Sequence, residues 1–259
     1  MKLHQIRNAT MILDYAGRRF LTDPMFAPKE EVNGEKSDEP VIDKPWPFHS
    51  LPLPPKDIVK NIDAVIITHL HADHFDKSAQ EILPKNTKIF VQDFFDKNAL
   101  EKEGFNNIEI LQEEGTVFEG INLYKTNCRH GKREIAEPIF LANGMRWEAM
   151  GVVFKSETEP TLYLAGDTVF CEEVRRAINT HKPKYIIINA DCSKISYSGP
   201  LNMGIEDIKN LSDFYPEGKL IAGHMDTVGY STLSRADLRT SNVKDLIYAP
   251  ADGEIMLLD

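Results

Sequence analysis

The sequence has few cysteines and no long apolar run, and these two shortages exclude whole classes of protein. Three cysteines, Cys128, Cys171 and Cys192, show no metal or redox spacing, which indicates reduced thiols in a reducing compartment. No stretch approaches the ~20 apolar residues of a membrane span, and the opening MKLHQIRNATMILDY lacks the apolar core of a signal peptide. We therefore expect a cytoplasmic protein with no membrane partner.

Positive charge is also scarce. The chain carries 30 Lys and Arg against 40 Asp and Glu, for a net charge of -10, and no long basic run. This balance argues against a nucleic-acid partner unless a local basic patch overrides it. With 259 residues and 42% hydrophobic content, the chain can bury a substantial core. We expect one domain over 1–259, and the sequence leaves open a homo-oligomer.

A proline-rich excursion at 24–58 interrupts that domain. It holds eight of the 15 prolines, so it cannot form a regular helix or a central strand. Two interpretations stay open. The segment could be a lid that carries Trp46 and Phe48 over a site, or a long excursion that those rings pin to the surface.

Apolar runs between turn residues predict an alternation of strands and helices. The residues 132–149 are mixed in character and receive no assignment. The predicted helices are 76–83, 95–104, 172–180, 205–214 and one that opens at the capping box Ser234-Arg235-Ala236-Asp237. The predicted strands are 3–7, 10–15, 19–22, 63–68, 88–92, 107–111, 121–126, 151–155, 161–165, 185–189, 219–222 and 255–258.

Three of the eight histidines fall in His69-Leu70-His71-Ala72-Asp73-His74, directly after the apolar run 63–68. A polar surface turn that happens to hold histidines is the weaker interpretation, because packing and solubility give no reason to gather them here. In a His-x-His turn, both rings can face one metal ion, while Asp73 and His74 can face a second.

Other apolar strands also end in Asp or His. In α/β sheets ligands gather beyond the carboxyl ends of the strands, so these side chains could share one edge. His4, His49 and His181 fall outside the pattern and are interpreted as ordinary histidines. The residues in the pattern are Asp23, His69, His130, Asp167, Asp191 and His224.

The order of these motifs resembles the metallo-β-lactamase superfamily: HLHADH, then His130-Gly131, a strand ending Gly166-Asp167-Thr168, and a strand ending Gly223-His224. The resemblance runs from Asp23 to His224. It implies an α/β fold, a four-layer αββα sandwich of two mixed sheets flanked by helices, with a two-metal centre at one edge. Position by position, it implies that His69, His71 and His130 hold one metal, that Asp73, His74 and His224 hold the other, and that Asp167 bridges them.

The predicted ligands bear on the identity of the metal and on the charge of the substrate. Zinc is the default, while manganese and iron stay open because no thiolate is among the predicted ligands. Two metals roughly 3.5–4 Å apart can share a hydroxide and lower its pKa towards neutrality. Two divalent ions formally outweigh two aspartates, so the site is locally positive and we expect a small anionic substrate.

Departures from better-known members narrow the expected activity. Asp167 and His74 stand where zinc β-lactamases often place a cysteine or an arginine. His71 stands where flavodiiron proteins have a glutamate, and this difference favours hydrolysis over redox chemistry. The motifs AGDT at 165–168 and GHMD at 223–226, with Asp23-Pro24, look most similar to the branch of predicted hydrolases that contains L-ascorbate-6-phosphate lactonase.

We therefore expect a hydrolase in which a metal-bridging hydroxide cleaves an ester, lactone or phosphoester, with Asp73 and Asp167 in catalytic roles. A phosphodiesterase or nuclease acting on nucleotides or RNA, and a metal or ligand sensor without turnover, are the alternatives. Asp23 and Asp191 could orient ligand histidines. Arg129 could hold an anionic substrate, although a solvated loop charge is the commoner role for such a residue.

Overall fold

Two mixed β-sheets face each other in the computed structural model, which describes residues 1–32, 44–195 and 197–259. In spatial order the first sheet contains β14 (Ile255–Leu257), β1 (Lys2–Arg7), β2 (Thr10–Tyr15), β3 (Arg18–Thr22), β4 (Ala64–Ile66), β5 (Ile89–Val91) and β6 (Ile108–Ile110). The second sheet contains β13 (Ile247–Tyr248), β12 (Lys219–Gly223), β11 (Tyr185–Asn189), β10 (Leu162–Leu164), β9 (Met150–Lys155), β8 (Ile121–Asn127) and β7 (Thr116–Phe118).

Strand direction decides which loops meet. The strands β1, β2 and β3 pair antiparallel, and β3, β4 and β5 pair parallel, so β1, β3 and β4 all end at one edge of the first sheet. In the second sheet β8 and β10 flank β9 antiparallel, and β10, β11 and β12 are parallel, so β8 ends at the same edge as those three. Each sheet therefore brings several strand ends together.

Side-chain alternation along the strands builds the layers. Ala64 and Ile66 of β4 pack in the core between the sheets, whereas Val65 and Ile67 pack with residues of the flanking helices. On β11, Ile187 faces the inter-sheet core and Ile188 faces the opposite helical layer. Burial on both faces explains why these strands are continuously apolar. The predicted αββα sandwich is confirmed.

The helices are α1 (Pro55–Ile58), α2 (Lys77–Ile82), α3 (Phe94–Lys102), α4 (Arg133–Ala142), α5 (Glu172–His181), α6 (Ile205–Phe214) and α7 (Arg235–Thr240). Four predicted helices match α2, α3, α5 and α6 to within two residues at each end. Ser234 caps α7 by accepting a hydrogen bond from Asp237 N at 3.1 Å, as its capping box predicts.

The α4 helix is the longest element that the sequence did not predict; the short strands β7 and β13 and the one-turn helix α1, at the end of the excursion, were also missed. Pro138 lies inside it, and a proline there removes one backbone hydrogen bond, so the segment carries no clear helical signal. Ala136 and Phe140 are buried against Leu201. Packing therefore holds this helix in spite of its proline.

The described part of the excursion is fastened to the first sheet by one buried arginine. The guanidinium of Arg7 donates to the carbonyl oxygens of Met25 at 3.0 Å, Ala27 at 2.9 Å and His49 at 2.9 Å. Trp46 packs in a small cluster with Met25 and Val228. Residues 33–43 of the excursion lie outside the described residues. In the described part of the chain, no helix has the length and apolar character needed to cross a membrane.

Gly166 supplies the fold's most exacting glycine position, because it precedes Asp167 in a left-handed conformation with φ of +70°. A Cβ at this position would lie 2.3 Å from Met150 O, which is backbone and cannot move aside easily. Gly17 has a similar φ of +77°, and a Cβ there would meet no atom within 4 Å. An alanine at either position would carry backbone strain, but only the one at Gly166 would also overlap a neighbouring atom. Comparing the two substitutions therefore distinguishes the two costs.

We expect Gly166→Ala to lower the free energy of unfolding by about 2–4 kcal/mol, the sum of left-handed strain and overpacking. Gly17→Ala should cost about 1 kcal/mol, from the strain alone. Urea denaturation in the presence of a chelator measures both values without a contribution from bound metal. Equal losses in the two variants would contradict the prediction.

Candidate metal centre

Strand ends from both sheets place the candidate ligands in one region. Asp23 and His69 follow β3 and β4 of the first sheet. His130, Asp167, Asp191 and His224 follow β8, β10, β11 and β12 of the second. Because these strands end at corresponding edges, residues far apart in sequence meet between the sheets, as in other α/β ligand sites.

The seven predicted ligands form three overlapping clusters, each with donor atoms within 4.8 Å of one another. All seven side chains are buried. Asp167 joins the clusters, since its Oδ2 lies 3.4 Å from His74 Nε2, 3.5 Å from His130 Nε2 and 3.9 Å from His69 Nε2. The clusters are His69, His71 and His130; His69, His74 and Asp167; and Asp73, His74 and His224.

In the first cluster, neutral groups contact one nitrogen of each imidazole. His71 Nε2 lies 2.7 Å from Arg146 O, His130 Nδ1 lies 3.2 Å from Leu201 O, and His69 Nδ1 lies 3.2 Å from Thr68 Oγ1. The other nitrogen of His69, Nε2, is buried and has no hydrogen-bond partner among the described residues. A buried polar atom of this kind is costly unless a ligand pairs with it, so its presence fits a metal ion.

Burial also keeps these three rings neutral. It lowers the pKa of His69 and His130, and it lowers the pKa of His71 to about 4, with the neighbouring imidazoles adding to the shift in His69 and His71. A neutral imidazole has a free lone pair at neutral pH. That is the form that binds a metal.

In the third cluster, Asp73, His74 and His224, carboxylates of neighbouring residues contact the Nδ1 atoms of both rings. Asp23 Oδ2 lies 3.1 Å from His74 Nδ1, and Asp191 Oδ2 lies 3.0 Å from His224 Nδ1. The inner nitrogens of the two rings approach to 3.1 Å, and Asp73 Oδ2 lies 2.8 Å from His224 Nε2. Asp23 and Asp191 thus lie where a residue that orients a ligand histidine would lie.

These carboxylates change the protonation of the third cluster. Burial lowers the pKa of His74, but Asp167, Asp73 and Asp23 outweigh burial and raise that pKa to about 10. Likewise burial is outweighed for His224, whose pKa Asp191 and Asp167 raise well above its usual value. Without metal, protons on these rings balance the buried carboxylates. A divalent cation can take their place, so the donor set fits a metal.

Asn8 is a structural partner of the centre that the sequence did not single out. Its Nδ2 donates to Asp73 O at 2.9 Å, and its carbonyl oxygen accepts from His224 N at 2.9 Å. It therefore ties the histidine motif of the first sheet to a strand end of the second. The signal is weak but present, because Asn8 follows β1, which ends at the same edge as β3.

Arg129 does not reach the centre. Its guanidinium pairs with Glu173 at 3.3 Å, and its side chain is 48% exposed. Its backbone explains the direction, because Arg129 N donates to Thr168 Oγ1 and Arg129 O accepts from Val169 N, which turns the side chain outward. The suggested contact with a substrate is therefore corrected to a solvated ion pair.

A cavity of about 100 Å³ opens on the centre. Asp73, Asp167, His71 and His130 form its polar side, and no lysine or arginine of the described chain lines it. Tyr230 also lines it, and burial, together with Asp73, raises the pKa of that phenol, which therefore stays protonated. The remaining wall is mainly apolar and contains Trp46, Ala72, Phe140, Met145, Ile195 and Leu201.

The overall sequence matches a family model described as a beta-lactamase superfamily domain over residues 18–225. The chain belongs to the metallo-β-lactamase superfamily. UPF0173 protein YddR of Bacillus subtilis (strain 168) is 41% identical over 98% of this chain and 98% of its own length, which places the chain in the UPF0173 family as well.

Two solved structures agree with this family over nearly their whole length. One is the isothiocyanate hydrolase from Delia radicum gut bacteria, with a TM-score of 0.92, 37% identity, and coverage of 100% of this chain and 99% of that one. The other is a possible metal-dependent hydrolase from Veillonella parvula DSM 2008, with a TM-score of 0.91, 36% identity, and coverage of 100% and 99%.

The predicted enzyme class, a metal-dependent hydrolase of the superfamily, is confirmed. The chain has His and Asp clusters able to bind metal. The finer resemblance to the branch with L-ascorbate-6-phosphate lactonase is not confirmed and stays a prediction.

We expect metal binding to release protons at pH 7, because His74 and His224 give up ring protons as a cation binds. Since those protons compete with the metal, affinity should rise as the pH increases from about 7 towards the raised pKa values. Calorimetric titration of chelator-treated protein in buffers of different ionisation enthalpy counts the protons. Proton uptake, or no exchange, would contradict the assignment.

Proposed function

We propose that this protein holds two divalent ions, zinc by default, between its sheets and uses them to hydrolyse a small uncharged electrophile with a short apolar substituent. His69, His71 and His130 would hold one ion, Asp73, His74 and His224 the other, and Asp167 would contact both. The single observation that carries the proposal is that these buried clusters, including the unpartnered His69 Nε2, lie at the polar side of a cavity with apolar walls.

Bound divalent ions would lower the pKa of water and polarise the bond under attack. The protein's own groups would do the rest. Asp73 and Asp167 line the cavity and would orient the attacking water, with Asp73 placed to accept its proton. The phenol of Tyr230, which lines the same cavity, would face the substrate, and the aromatic and aliphatic wall would exclude bulk water.

The cavity favours a neutral substrate over the anionic metabolite expected from the charge of the metals. Its volume of about 100 Å³ suits a compact group, and no cationic side chain of the described residues lines it to hold a phosphate or carboxylate. Esters and lactones with short apolar groups fit this description. So do isothiocyanates, and a structure 37% identical to this chain is named an isothiocyanate hydrolase. We infer that isothiocyanates are the first class to test.

For an isothiocyanate R–N=C=S, the reaction balances with one water. The water oxygen forms a bond to the central carbon, the carbon–nitrogen bond breaks, and both water protons pass to nitrogen. The products are the amine R–NH₂ and carbonyl sulfide. Asp73 would relay protons to that nitrogen, while the apolar wall would hold R.

The same cavity gives less support to the alternatives. Nucleotide and RNA substrates need cationic contacts to phosphate, and the described lining supplies none. A sensor would bind metal without turnover, so a substrate panel decides between sensing and catalysis.

Asp167→Ala should lose metal and activity together. The Asp167 carboxylate lies beside His130 Nε2 of the first cluster and His74 Nε2 of the third, the two clusters proposed to hold the ions. We expect kcat/KM to fall at least about 100-fold towards the best substrate in a panel of isothiocyanates, esters, lactones and phosphodiesters. Metal content by elemental analysis accompanies the assay. His181→Ala is the matched control, because His181 packs on Tyr124 outside the centre. Full turnover in metal-free Asp167→Ala would refute the proposed mechanism.

Met145→Ala should change selectivity rather than abolish activity, because Met145 is a partly buried side chain of the apolar wall. The ratio of kcat/KM for benzyl over methyl isothiocyanate should rise about 10-fold as the cavity widens. Met256→Ala removes a similarly half-buried methionine from the inter-sheet core and should leave the ratio unchanged. An unaltered ratio in Met145→Ala would show that the substituent binds elsewhere.

A further inference from the structure

We propose that Arg146 is a positioning residue, whose side chain is fastened away from the centre so that its backbone carbonyl fixes His71. The inference rests on the proposed function, in that His69, His71 and His130 are taken to hold a metal. Arg146 touches neither the cavity nor a ligand atom with its side chain. Its effect is carried by one hydrogen bond, from His71 Nε2 to Arg146 O at 2.7 Å.

The fastening consists of several charged contacts on one guanidinium. Arg146 donates to both carboxylate oxygens of Asp93, at 2.8 and 3.2 Å, and to Asp96 Oδ1 at 3.0 Å. Glu148 lies 3.3 Å away, and the guanidinium stacks over the ring of Phe95 at 4.8 Å. Bidentate contacts of this kind hold a planar group in one orientation.

The partners are themselves held in place. Asp93 caps α3 by accepting from Phe95 N and Asp96 N, and Asp96 is 2% exposed. Gln92 Nε2 donates to Asp96 Oδ2 at 2.8 Å and to Glu148 O at 3.0 Å. Residues 146–148 are thus joined at one end to Asp93 and Asp96 of the α3 region and at the other to Gln92, which follows β5, although they lie in the irregular segment between α4 and β9.

The tautomer of His71 explains why this fastening matters. A neutral imidazole carries one proton, and a carbonyl that accepts from Nε2–H leaves the lone pair on Nδ1. That nitrogen is then the one that His71 can offer to a metal together with His69 and His130. A carbonyl in an unanchored loop would let the ring rotate or change tautomer, and the cluster would lose a donor. Arg146 supplies the anchor that secondary structure does not.

The test is titration of chelator-treated protein with Co²⁺, whose visible absorption reports the geometry of each bound ion. Arg146→Met keeps the aliphatic stem and removes the charge, and we expect it to weaken one of two binding steps about 10-fold. Asp93→Asn keeps the helix cap and weakens the pair, so it should shift the same step less. Arg146→Lys should recover part of the affinity.

Arg18→Met is the matched control, because Arg18 is similarly exposed and also pairs with two acids, Asp63 and Glu119, far from the histidines. It should bind Co²⁺ like the unmodified protein. Thermal unfolding of the metal-free variants separates a general loss of stability from a local one. The inference is overturned if Arg146→Met and Asp93→Asn bind both ions with unchanged affinity, or if Arg18→Met weakens the same step equally.

The two proposals fail in different ways. If the unmodified protein binds no Co²⁺, or binds it and hydrolyses no member of the substrate panel, the proposed function is wrong. If the unmodified protein binds two ions and is active, while the Arg146 and Asp93 variants match it in Co²⁺ affinity and spectrum, only the role of Arg146 is wrong.

Discussion

The structure depends on how several negative charges, buried in one place, are balanced. Asp23, Asp73, Asp167 and Asp191 are all at most 4% exposed and lie around the histidines of the centre. Buried carboxylates are stable only when protons, hydrogen-bond donors or cations balance them. The structure supplies the first two through protonated rings and through donors such as Thr68, Ser231 and Asn202. A divalent cation could replace the protons on these rings, and the His and Asp clusters are able to bind one.

The packing of the two sheets supports this buried cluster of charges. Each sheet buries both faces, so the strand ends are held by a core that does not depend on the centre for its packing. Asn8 then links the two sheets across the gap, through Asp73 and His224. Because the packed layers hold the strand ends that carry the candidate ligands, the loops around the cavity can differ in sequence without displacing them. A shared fold can thus serve several hydrolytic activities.

The resemblance carried by HLHADH and the other motifs implied the sandwich and the set of seven candidate ligands, while the strand ends predicted that Asp and His side chains meet at one edge. The contacts of Asn8 and Arg146 span 65 and 75 residues and involve backbone atoms, which carry no residue-type signal. For Arg129, in contrast, the sequence suggested a contact that the structure does not show. Its charge and position suggested a substrate contact, but side-chain direction depends on backbone bonds to Thr168 that the sequence does not display. The α4 helix was hidden by Pro138 for a similar reason, since tertiary packing outweighs local propensity.

Arg7 binds carbonyl groups at two places within the excursion, at Met25 and Ala27 near its start and at His49 closer to its end. One side chain therefore holds Ala27 and His49 close together across the chain segment that connects them. Each doubling of the length of such a loop costs only about 0.6 kcal/mol in closure entropy. Changes in the number of residues between Val32 and Trp46 should therefore cost little stability, while Arg7 holds the flanking residues and Trp46 stays beside the cavity.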